Sequence, residues 1–502
     1  MPESRKLTPN KRRVVVIGSG FGGLGVAVRL QARGLDVDLV EARDKLGGRA
    51  YMYVQDGFKF DGGPTVITAP FMIDDLFRAA NRRTNDYLKL VPIDPFYRIE
   101  FSDGRSFEYN QDEAETERRV EAFAPGDLDG YRRMIQHARA IFQKGFVELA
   151  DRPFLKFSDM LRIAPDLLRL QSHKSVYQFA SGYIRDPMLR RVFSFHPLLV
   201  GGNPFQTTSI YALIHSLERQ WGVHYAIGGT GAIVSALGKL FQELGGRIHL
   251  SSPASNILVE GGSATGIRTA GGKVFQADAV VSNADVANTY RKLIPPRFRR
   301  KYTDNKLRRM RYSMSLFVIY FGTRKQYPGI KHHTIILGER YRELLEDIFL
   351  KKKLPDDFSL YLHRPTATDS SMAPEGCDSF YVLVPVPHQQ SGIDWKEMAL
   401  PFRDKIMRFL DQRYLPGLMD SVVTERLLTP LDFETTLNTY LGSGFSFEPI
   451  FRQSAWFRPH NESEDIRNLF FVGAGTHPGA GVPGVLSSAK IAERLVCDRL
   501  LN

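Results

Sequence analysis

Short β-branched runs alternate with stretches of helical apolar spacing in the N-terminal part of the chain. Val14–Ile17 is a run of β-branched residues, which is typical of a strand buried on both faces. Leu24, Ala27 and Val28 then recur at helical spacing. A second apolar run follows at Val37–Val40. The pattern predicts a strand, a helix and a second strand, in that order.

The C-terminal part repeats this arrangement. Leu469–Val472 has the composition of a buried strand, and glycines crowd the loop that follows it. Pro483 is well placed to begin a helix. Apolar residues continue from there at helical spacing, at Val485, Ala489, Ala492 and Val496. We therefore predict a second unit of strand, glycine loop and helix.

Between the two ends the pattern is mixed. Tyr51–Thr68 alternates like a hairpin around the turn Asp56-Gly57. Pro153–Phe179 mixes large apolar residues with lysines and arginines, which is typical of an amphipathic element in a membrane interface. A helix that packs between domains is the alternative. The polar connection His363–Gly376 is predicted to be a mobile loop.

Length and charge narrow the class of protein. At 502 residues the chain is long for one hydrophobic core, so two or three packed domains are expected. The formal net charge of +12 suits an anionic partner. Because no basic run is interleaved with aromatic residues, an acidic membrane surface is favoured and nucleic acid is not expected as a partner.

The cysteine content and the search for targeting signals indicate in which cellular compartment the protein is expected. Cys377 and Cys497 are too few for a disulfide framework, and we predict no metal site from the sequence. The beginning, MPESRKLTPNKRR, is basic without an apolar core, which does not fit a secretory signal. No apolar run is long enough to span a bilayer. We expect a protein on the cytoplasmic side, peripherally associated with the membrane.

The glycines after the first strand carry the clearest chemistry. Gly18, Gly20 and Gly23 have G-x-G-x-x-G spacing, which provides a tight turn, close approach to a pyrophosphate and close helix packing. The amides that begin the helix then bind the phosphates. Glu41 ends the second strand, where a carboxylate accepts hydrogen bonds from an adenosine ribose. An acid at this position disfavours NADP, and Arg49 lies within reach of a phosphate.

Several sequence blocks together point to one family. They are IGSGFGGL, EARDKLGGRAY, DGGPTVIT, FHPLLVGGNPF, QSAWFRPH and GAGTHPGAGVPG. With these blocks the chain resembles the FAD-dependent phytoene desaturases of bacteria and fungi, within the wider group of amine-oxidase-like flavoproteins. The first block marks only a nucleotide-binding flavoprotein, whereas the fourth and sixth are more specific to carotenoid desaturases.

The resemblance implies an α/β fold in two parts with a helical addition. A doubly wound, Rossmann-type FAD-binding domain is expected beside a mixed α+β substrate domain and a helical, membrane-facing part. The expected boundaries are 11–85, 220–305 and 445–502 for the FAD-binding domain, 86–124 and 306–444 for the substrate domain, and 125–219 for the helical part.

The resemblance also implies a reaction and its partners. FAD is the expected cofactor, and the substrate is 15-cis-phytoene drawn from the membrane. Successive dehydrogenation would yield phytofluene, zeta-carotene and then neurosporene or lycopene, with quinone or oxygen reoxidising the flavin. Motifs and resemblance together imply FAD contacts at Gly18, Gly20, Gly22, Gly23, Glu41, Ala42, Gly48, Arg49, Gly473, Gly475, Thr476, Gly481 and Val482.

The proton acceptor is predicted on separate grounds. Asp159 and Arg162 are spaced as an i,i+3 pair on a helix that Ser158 would cap. In an apolar tunnel such a pair can handle a proton, although a surface ion pair has the same spacing. Weaker candidates for the base are His196, His477 and Glu218.

Other functions fit parts of the same pattern. A relative acting on another carotenoid, such as hydroxyneurosporene or a C30 analogue, is the nearest alternative. A non-catalytic lipid-escort protein of the same architecture and a soluble amine oxidase are more distant ones. The intact glycine motif and Glu41 argue against the escort protein, since it does not use FAD.

Overall fold

The computed structural model describes residues 11–502. The first ten residues, on which part of the argument about a secretory signal depends, lie outside the described residues.

A five-stranded parallel sheet, here the nucleotide sheet, is built from both ends of the chain and from its middle. Val14, in the central strand, lies opposite Val37 on one side and Ala279 on the other. Val14, Val15 and Val16 are fully buried, as expected of a strand covered on both faces. The strands, in spatial order, are Leu469–Phe471, Ala279–Ser282, Arg13–Ile17, Asp36–Val40 and Arg247–His249.

A seven-stranded mixed sheet forms the second layer. Its neighbouring strands are antiparallel except for one parallel pair, His333–Leu337 with Tyr97–Phe101. In spatial order the strands are Val422–Leu428, Ser315–Thr323, Asp378–Val386, Leu360–His363, His333–Leu337, Tyr97–Phe101 and Ser106–Tyr109.

Within residues 11–502, three small sheets complete the β structure. The predicted hairpin is confirmed, since Met52–Gln55 pairs with Phe58–Asp61 around Asp56-Gly57. The other two sheets consist of Ala254–Glu260, Ser263–Thr269 and Val274–Gln276, and of Leu90–Ile93 with Val223–Ala226.

Helices cover the sheets. Three helices pack against the nucleotide sheet: Phe21–Ala32, Thr230–Glu243 and Val482–Leu500. Within residues 11–502, no helix is both long and apolar enough to cross a bilayer. The remaining α-helices are Pro70–Ala79, Glu113–Phe123, Leu128–Phe142, Phe157–Arg169, Val176–Ser181, Pro187–Val192, Leu213–Trp221, Val286–Asn288, Asp304–Arg309, Tyr341–Glu346, Trp395–Arg413, Leu418–Ser421 and Pro430–Thr435.

Packing between the first and last helices brings the two glycine loops together. A Cβ atom on Gly25 would lie 3.2 Å from the Cβ of Ala489, so the helix axes approach closely. Beside this contact, buried Arg29 donates to Glu493 at 3.2 Å. The two predicted strand–loop–helix units therefore form one site rather than two.

The connection His363–Gly376 differs from the predicted mobile loop. His363 ends a strand, and two short 3₁₀ helices follow at 365–367 and 370–372. Buried Arg364 donates to Asp378 at 2.9 Å, and Asp369 accepts from the Gly228 amide at 2.6 Å. Polar residues here bind other polar residues inside the protein, so polarity alone was a misleading signal.

Candidate active site

One cavity of about 640 Å³ joins the nucleotide sheet to the mixed sheet. Its nucleotide end is lined by the glycine turn 18–22, by Glu41 and Arg49, and by the loop 473–485. Its other end, the apolar chamber, lies between helices and the mixed sheet. Apolar side chains dominate the chamber wall: Phe146, Leu149, Phe154, Met160, Ile163, Leu167, Leu198, Leu213, Leu217, Leu316, Val318, Ile335, Leu337, Leu360, Leu383 and Phe433.

The glycine turn has the geometry predicted from its spacing. Gly18 has a φ of +86°, which favours glycine. A Cβ atom on Gly23 would lie 1.9 Å from the carbonyl oxygen of Gly18, so only glycine fits there. Gly20 is the N-cap of helix Phe21–Ala32. Among the described residues no side chain caps this helix, which leaves its first amides for a ligand.

Glu41 is held rigidly at the end of its strand. One carboxylate oxygen accepts from the Ser19 amide at 2.8 Å and from the Ser19 hydroxyl at 2.6 Å. The other accepts from the Arg43 amide at 2.9 Å. Ala42 and Gly48 line the cavity beside it. An ionised carboxylate accepts about four hydrogen bonds, so Glu41 retains capacity for ribose hydroxyls.

Arg49 provides a test of whether an anionic cofactor fits. Its side chain lines the cavity, and its Nε finds no hydrogen-bond partner among residues 11–502. Desolvation lowers the pKa of Arg49, and the nearby Asp285 carboxylate partly opposes that effect. Arg49 is half-buried, and a partly desolvated guanidinium without a full set of partners is destabilising; a pyrophosphate would supply them. The residues present therefore fit FAD.

The second glycine loop faces the same cavity. Gly473 has a φ of +99°, and a Cβ on Gly475 would lie 2.8 Å from Val286 Cγ2. Gly481 is the N-cap of helix Val482–Leu500, whose dipole begins at the cavity wall. Thr476 is placed differently from the prediction. It is fully buried away from the cavity, and its hydroxyl donates to the Pro459 carbonyl at 2.7 Å.

Arg458 lies behind this loop and holds it in place through hydrogen bonds, a role that was not predicted from the sequence. The side chain is 1% exposed. Its guanidinium donates to the carbonyl oxygens of Ala474 at 2.6 Å and Thr476 at 3.1 Å. It also donates to the carbonyls of Gln453 and Phe447, at 3.1 and 3.3 Å. The block QSAWFRPH contained the only signal, because nothing in the spacing of Arg458 marks its partners.

His477 is a polar side chain at the junction of the loop and the chamber. It lines the cavity, and its ring lies 5.0 Å from that of Phe154. Neither ring nitrogen has a hydrogen-bond partner in the described part of the chain. Burial, and to a smaller extent the charge of Arg458, lowers the pKa of His477 to about 3. The imidazole is therefore neutral at physiological pH.

Glu218 and His196 form a buried network at the chamber wall. Glu218 accepts from the Tyr97 hydroxyl at 2.6 Å, and its other oxygen lies 3.2 Å from His196 Nε2. Burial, followed by the Glu218 charge, raises the pKa of Tyr97, which keeps this hydroxyl protonated as a donor. Both carboxylate oxygens of Glu218 are thus engaged by protein groups.

Asp159 and Arg162 lie elsewhere. The helix begins at Phe157, so Ser158 is not its N-cap as predicted. Asp159 instead accepts from the Lys156 amide at 3.1 Å, and Arg162 is 81% exposed and 3.9 Å from Asp159. Neither residue belongs to the cavity wall formed by residues 11–502. The predicted role of the pair in proton transfer has no support from this geometry, because its helix turns Met160 and Ile163 inward.

Comparisons with known proteins fit the geometry. A family model for flavin-containing amine oxidoreductases matches residues 21–496. The chain belongs to this family. It is 51% identical to a lycopene-forming phytoene desaturase of Pseudescherichia vulneris, over 97% of this chain and 100% of the relative. It is 44% identical to a neurosporene-forming phytoene desaturase of Cereibacter sphaeroides, over 97% of this chain and 95% of the relative.

A solved structure agrees on the fold. Putrescine oxidase bound to putrescine superposes with a TM-score of 0.64 at 16% identity, covering 98% of this chain and 100% of that one. The predicted α/β flavoprotein fold and the resemblance to phytoene desaturases are confirmed. This member of the family is an FAD-dependent oxidoreductase, and the predicted FAD cofactor is confirmed.

Proposed function

We propose that the chain is a phytoene desaturase that dehydrogenates 15-cis-phytoene stepwise to neurosporene or lycopene. The single observation that carries this proposal is the apolar chamber that continues directly from the nucleotide end of the cavity. Phytoene is a hydrocarbon without polar groups, so its recognition requires apolar walls beside a flavin site. Two relatives that carry this activity in their names, at 51% and 44% identity, support the same substrate.

Chamber chemistry disfavours an amine substrate. A protonated amine needs a free acceptor near the flavin. Glu218 already has both oxygens engaged by Tyr97 and His196. Asp61, at the cavity wall, accepts from the amide and hydroxyl of Thr230 through Oδ1, at 2.7 and 2.8 Å, and its Oδ2 lies 3.7 Å from His363 Nε2. Hydrocarbon contacts are the main interaction that the chamber offers.

Each desaturation breaks two C–H bonds on adjacent carbons and forms one C=C bond. Bound FAD supplies the two-electron acceptor for the hydride. The chain must exclude water and accept the proton that leaves from the neighbouring carbon. His477 is the acceptor we propose, because it is neutral and faces the cavity; its pKa of about 3 makes it a weak base, so it must pass the proton on. The role suggested for Asp159 and Arg162 would require the substrate to reach the outer face of their helix.

Helix Phe157–Arg169 supports delivery of the substrate from a membrane. Its inner face contributes Met160, Ile163 and Leu167 to the chamber wall. Its outer face exposes large apolar side chains, with Phe157 at 50%, Leu161 at 62% and Leu168 at 68%. Phe451 and Phe457 are also exposed, and Trp456 places its ring 5.0 Å from that of Phe157. A helix with an apolar inner face and with both leucines and arginines exposed on its outer face fits an element that separates the chamber from a lipid surface.

Incubation of the FAD-bound protein with phytoene-loaded liposomes, with quinone or oxygen as acceptor, tests the activity. We expect coloured carotenes, and the ratio of neurosporene to lycopene gives the number of desaturation steps. Flavin-loaded protein that binds the liposomes yet leaves phytoene unchanged would contradict the proposal. Peroxide release from amines under the same conditions would instead favour an amine oxidase.

A double variant, Leu161→Asp with Leu168→Asp, tests the membrane face separately. Each leucine contributes up to about 2 kcal/mol when transferred into lipid, so liposome binding should fall roughly 100-fold or more. Leu250→Asp, at another exposed leucine, is the matched control and should leave flotation with liposomes unchanged. Equal liposome binding by the double variant and the control would show that this helix is not the membrane face.

A further inference from the structure

Three histidines meet inside the mixed sheet, just behind the cavity wall. His333 and His363 lie opposite each other on neighbouring antiparallel strands, and His332 precedes the first of these strands. One ring nitrogen from each of the three lies within 4.8 Å of the others. All are buried, with His333 and His363 fully inaccessible. The chain thus places three imidazoles together at a point that solvent does not reach.

Hydrogen bonds fix these rings from one side only. His332 Nδ1 lies 2.7 Å from the Thr368 hydroxyl, and His333 Nδ1 lies 2.6 Å from the Tyr361 hydroxyl. The Nε2 atoms of His332, His333 and His363 have no hydrogen-bond partner within residues 11–502. Leaving a polar atom buried without a partner costs about 1–3 kcal/mol. Three such atoms, on rings whose centroids lie 4.5–5.4 Å apart, point to a ligand common to the three histidines.

This arrangement matches the needs of a metal-binding histidine. Ligating imidazoles hold their second nitrogen in a hydrogen bond, which fixes the ring and its tautomer. Thr368 and Tyr361 hydrogen-bond to Nδ1 of His332 and His333, and the Nε2 atom of each ring has no partner among residues 11–502.

Asp61 provides the negative charge. Its Oδ2 lies 3.7 Å from His363 Nε2 and has no hydrogen-bond partner in the described chain. Its Oδ1 is held by Thr230, which fixes the carboxylate. Ligand atoms around a tetrahedral zinc ion lie roughly 3.3–3.5 Å apart, so ring nitrogens that lie within 4.8 Å of one another would move together by up to about 1.5 Å on binding. Ca²⁺ and Mg²⁺ do not fit, because they prefer oxygen ligands.

We propose that His332, His333 and His363, with Asp61 as the acidic group, bind a divalent transition metal of the zinc type. The metal joins the hairpin strand Phe58–Asp61 to two strands of the mixed sheet. Tyr361, which contacts His333, also lies 3.0 Å from the Thr65 hydroxyl, and both residues line the cavity. The ion would therefore fix one wall of the apolar chamber without touching the substrate.

Metal analysis of the purified, FAD-bound protein tests this proposal. The protein is produced in zinc-supplemented medium and separated from loosely bound ions by gel filtration with a chelator. We expect about one metal ion per chain, with X-ray absorption at the metal edge showing about three imidazole ligands near 2.0 Å. Wild-type protein with less than a tenth of an equivalent would overturn the proposal, and so would a metal with oxygen ligands alone.

Substitution locates the ion. His333→Gln and His363→Gln should each lower the metal content at least tenfold. His173→Gln, the same change at an exposed histidine, should leave the metal content unchanged. Retention of a full equivalent by both cluster variants would place the metal elsewhere and contradict the assignment. If the cluster variants do not fold, the ligand set seen by X-ray absorption in the wild-type protein still decides the question.

Discussion

The two ends of the cavity are built from different parts of the chain. At the nucleotide end, backbone atoms form most of the site: glycine turns, helix amides and one carboxylate at the end of a strand. At the chamber end, side chains form the wall, and they come from helices and strands far apart in the sequence. Backbone geometry demands specific residues at specific spacings, whereas an apolar wall demands only hydrophobic volume.

This difference implies different tolerance to change. A glycine in a tight turn has no substitute, since any Cβ meets backbone that cannot move. A leucine in the chamber wall can be replaced by another apolar residue of similar volume at modest cost. A single substitution at the nucleotide end should therefore cause a large loss of function, whereas single substitutions in the chamber wall should each cause a small one.

Gly23→Ala is the most severe test of the nucleotide end. The added carbon would lie 1.9 Å from the Gly18 carbonyl oxygen, so turn and helix would have to separate. We expect a loss of at least about 4 kcal/mol in the free energy of unfolding, with little FAD-bound protein recovered. Thermal unfolding and the flavin-to-protein absorbance ratio measure both effects.

Gly271→Ala adds the same single atom in a surface turn. Within the described part of the chain, a Cβ added here would have no atom within 4 Å beyond its immediate chain neighbours, and the φ of Gly271 is not in the left-handed region. The free energy of unfolding should stay within about 0.5 kcal/mol of the wild-type value. The flavin content should be nearly unchanged. Similar losses in both variants would mean that glycine replacement in general, rather than the close contact at Gly23, is responsible.

Arg458→Met tests whether side chains are dispensable near the nucleotide end. Four carbonyl oxygens would lose a buried donor, at about 1–3 kcal/mol for each one left unsatisfied. We expect destabilisation of roughly 3 kcal/mol or more and weaker flavin binding, measured by urea unfolding and flavin titration. Arg467→Met, at an exposed arginine that also donates to a carbonyl, should cost less than about 1 kcal/mol. An equal loss in the free energy of unfolding for Arg458→Met and Arg467→Met would contradict the proposed role of Arg458 in holding the loop.

The same contrast explains what could be predicted from the sequence. Strand, glycine turn and helix were found at both ends of the chain, because periodicity and glycine spacing directly reflect backbone geometry. The position of Glu41 at the end of a strand was also predicted, and its contact with the cofactor ribose stays a prediction. Thr476 was misplaced, since the sequence shows that a residue is in a loop but not which way its side chain points. The five-stranded order of the nucleotide sheet also required the structure, because its strands come from three separate parts of the chain.

The residues that line the apolar chamber could not be predicted from the sequence, for a physical reason. Its wall residues share hydrophobicity with every other core residue, so no local signal separates them. Asp159 and Arg162 were chosen for their charge, but a charged pair at helical spacing is as suitable for the exposed face, where Arg162 lies. His332 and His363 are distant in sequence and lack a ligand motif, so strand pairing alone brings them together.

Glu41→Gln should have a smaller effect, confined to cofactor affinity. The charged acceptor for ribose hydroxyls would become a neutral amide, and charge-assisted hydrogen bonds are worth about 1.5–3 kcal/mol. We expect the Kd for FAD to rise about 10- to 100-fold while the fold is retained, measured by fluorescence titration of the apoprotein. Glu260→Gln, at an exposed strand end, is the control. An unchanged Kd in Glu41→Gln would mean that this carboxylate does not bind the cofactor.

His477→Gln should have the smallest effect on stability, visible only in acid. The folded-state pKa of His477 is about 3, below the unfolded value of about 6.5, so only the unfolded chain binds a proton between these values. The resulting stabilisation is lost as pH falls below about 6.5, and the loss reaches roughly 2 kcal/mol at pH 5. Urea unfolding at pH 7 and pH 5 should therefore show a smaller difference in the variant than in wild type, by about that amount. His173→Gln, at an exposed histidine, should keep the wild-type difference. If His477→Gln keeps it too, His477 is not buried in its neutral form, and the chamber contains enough water to charge it.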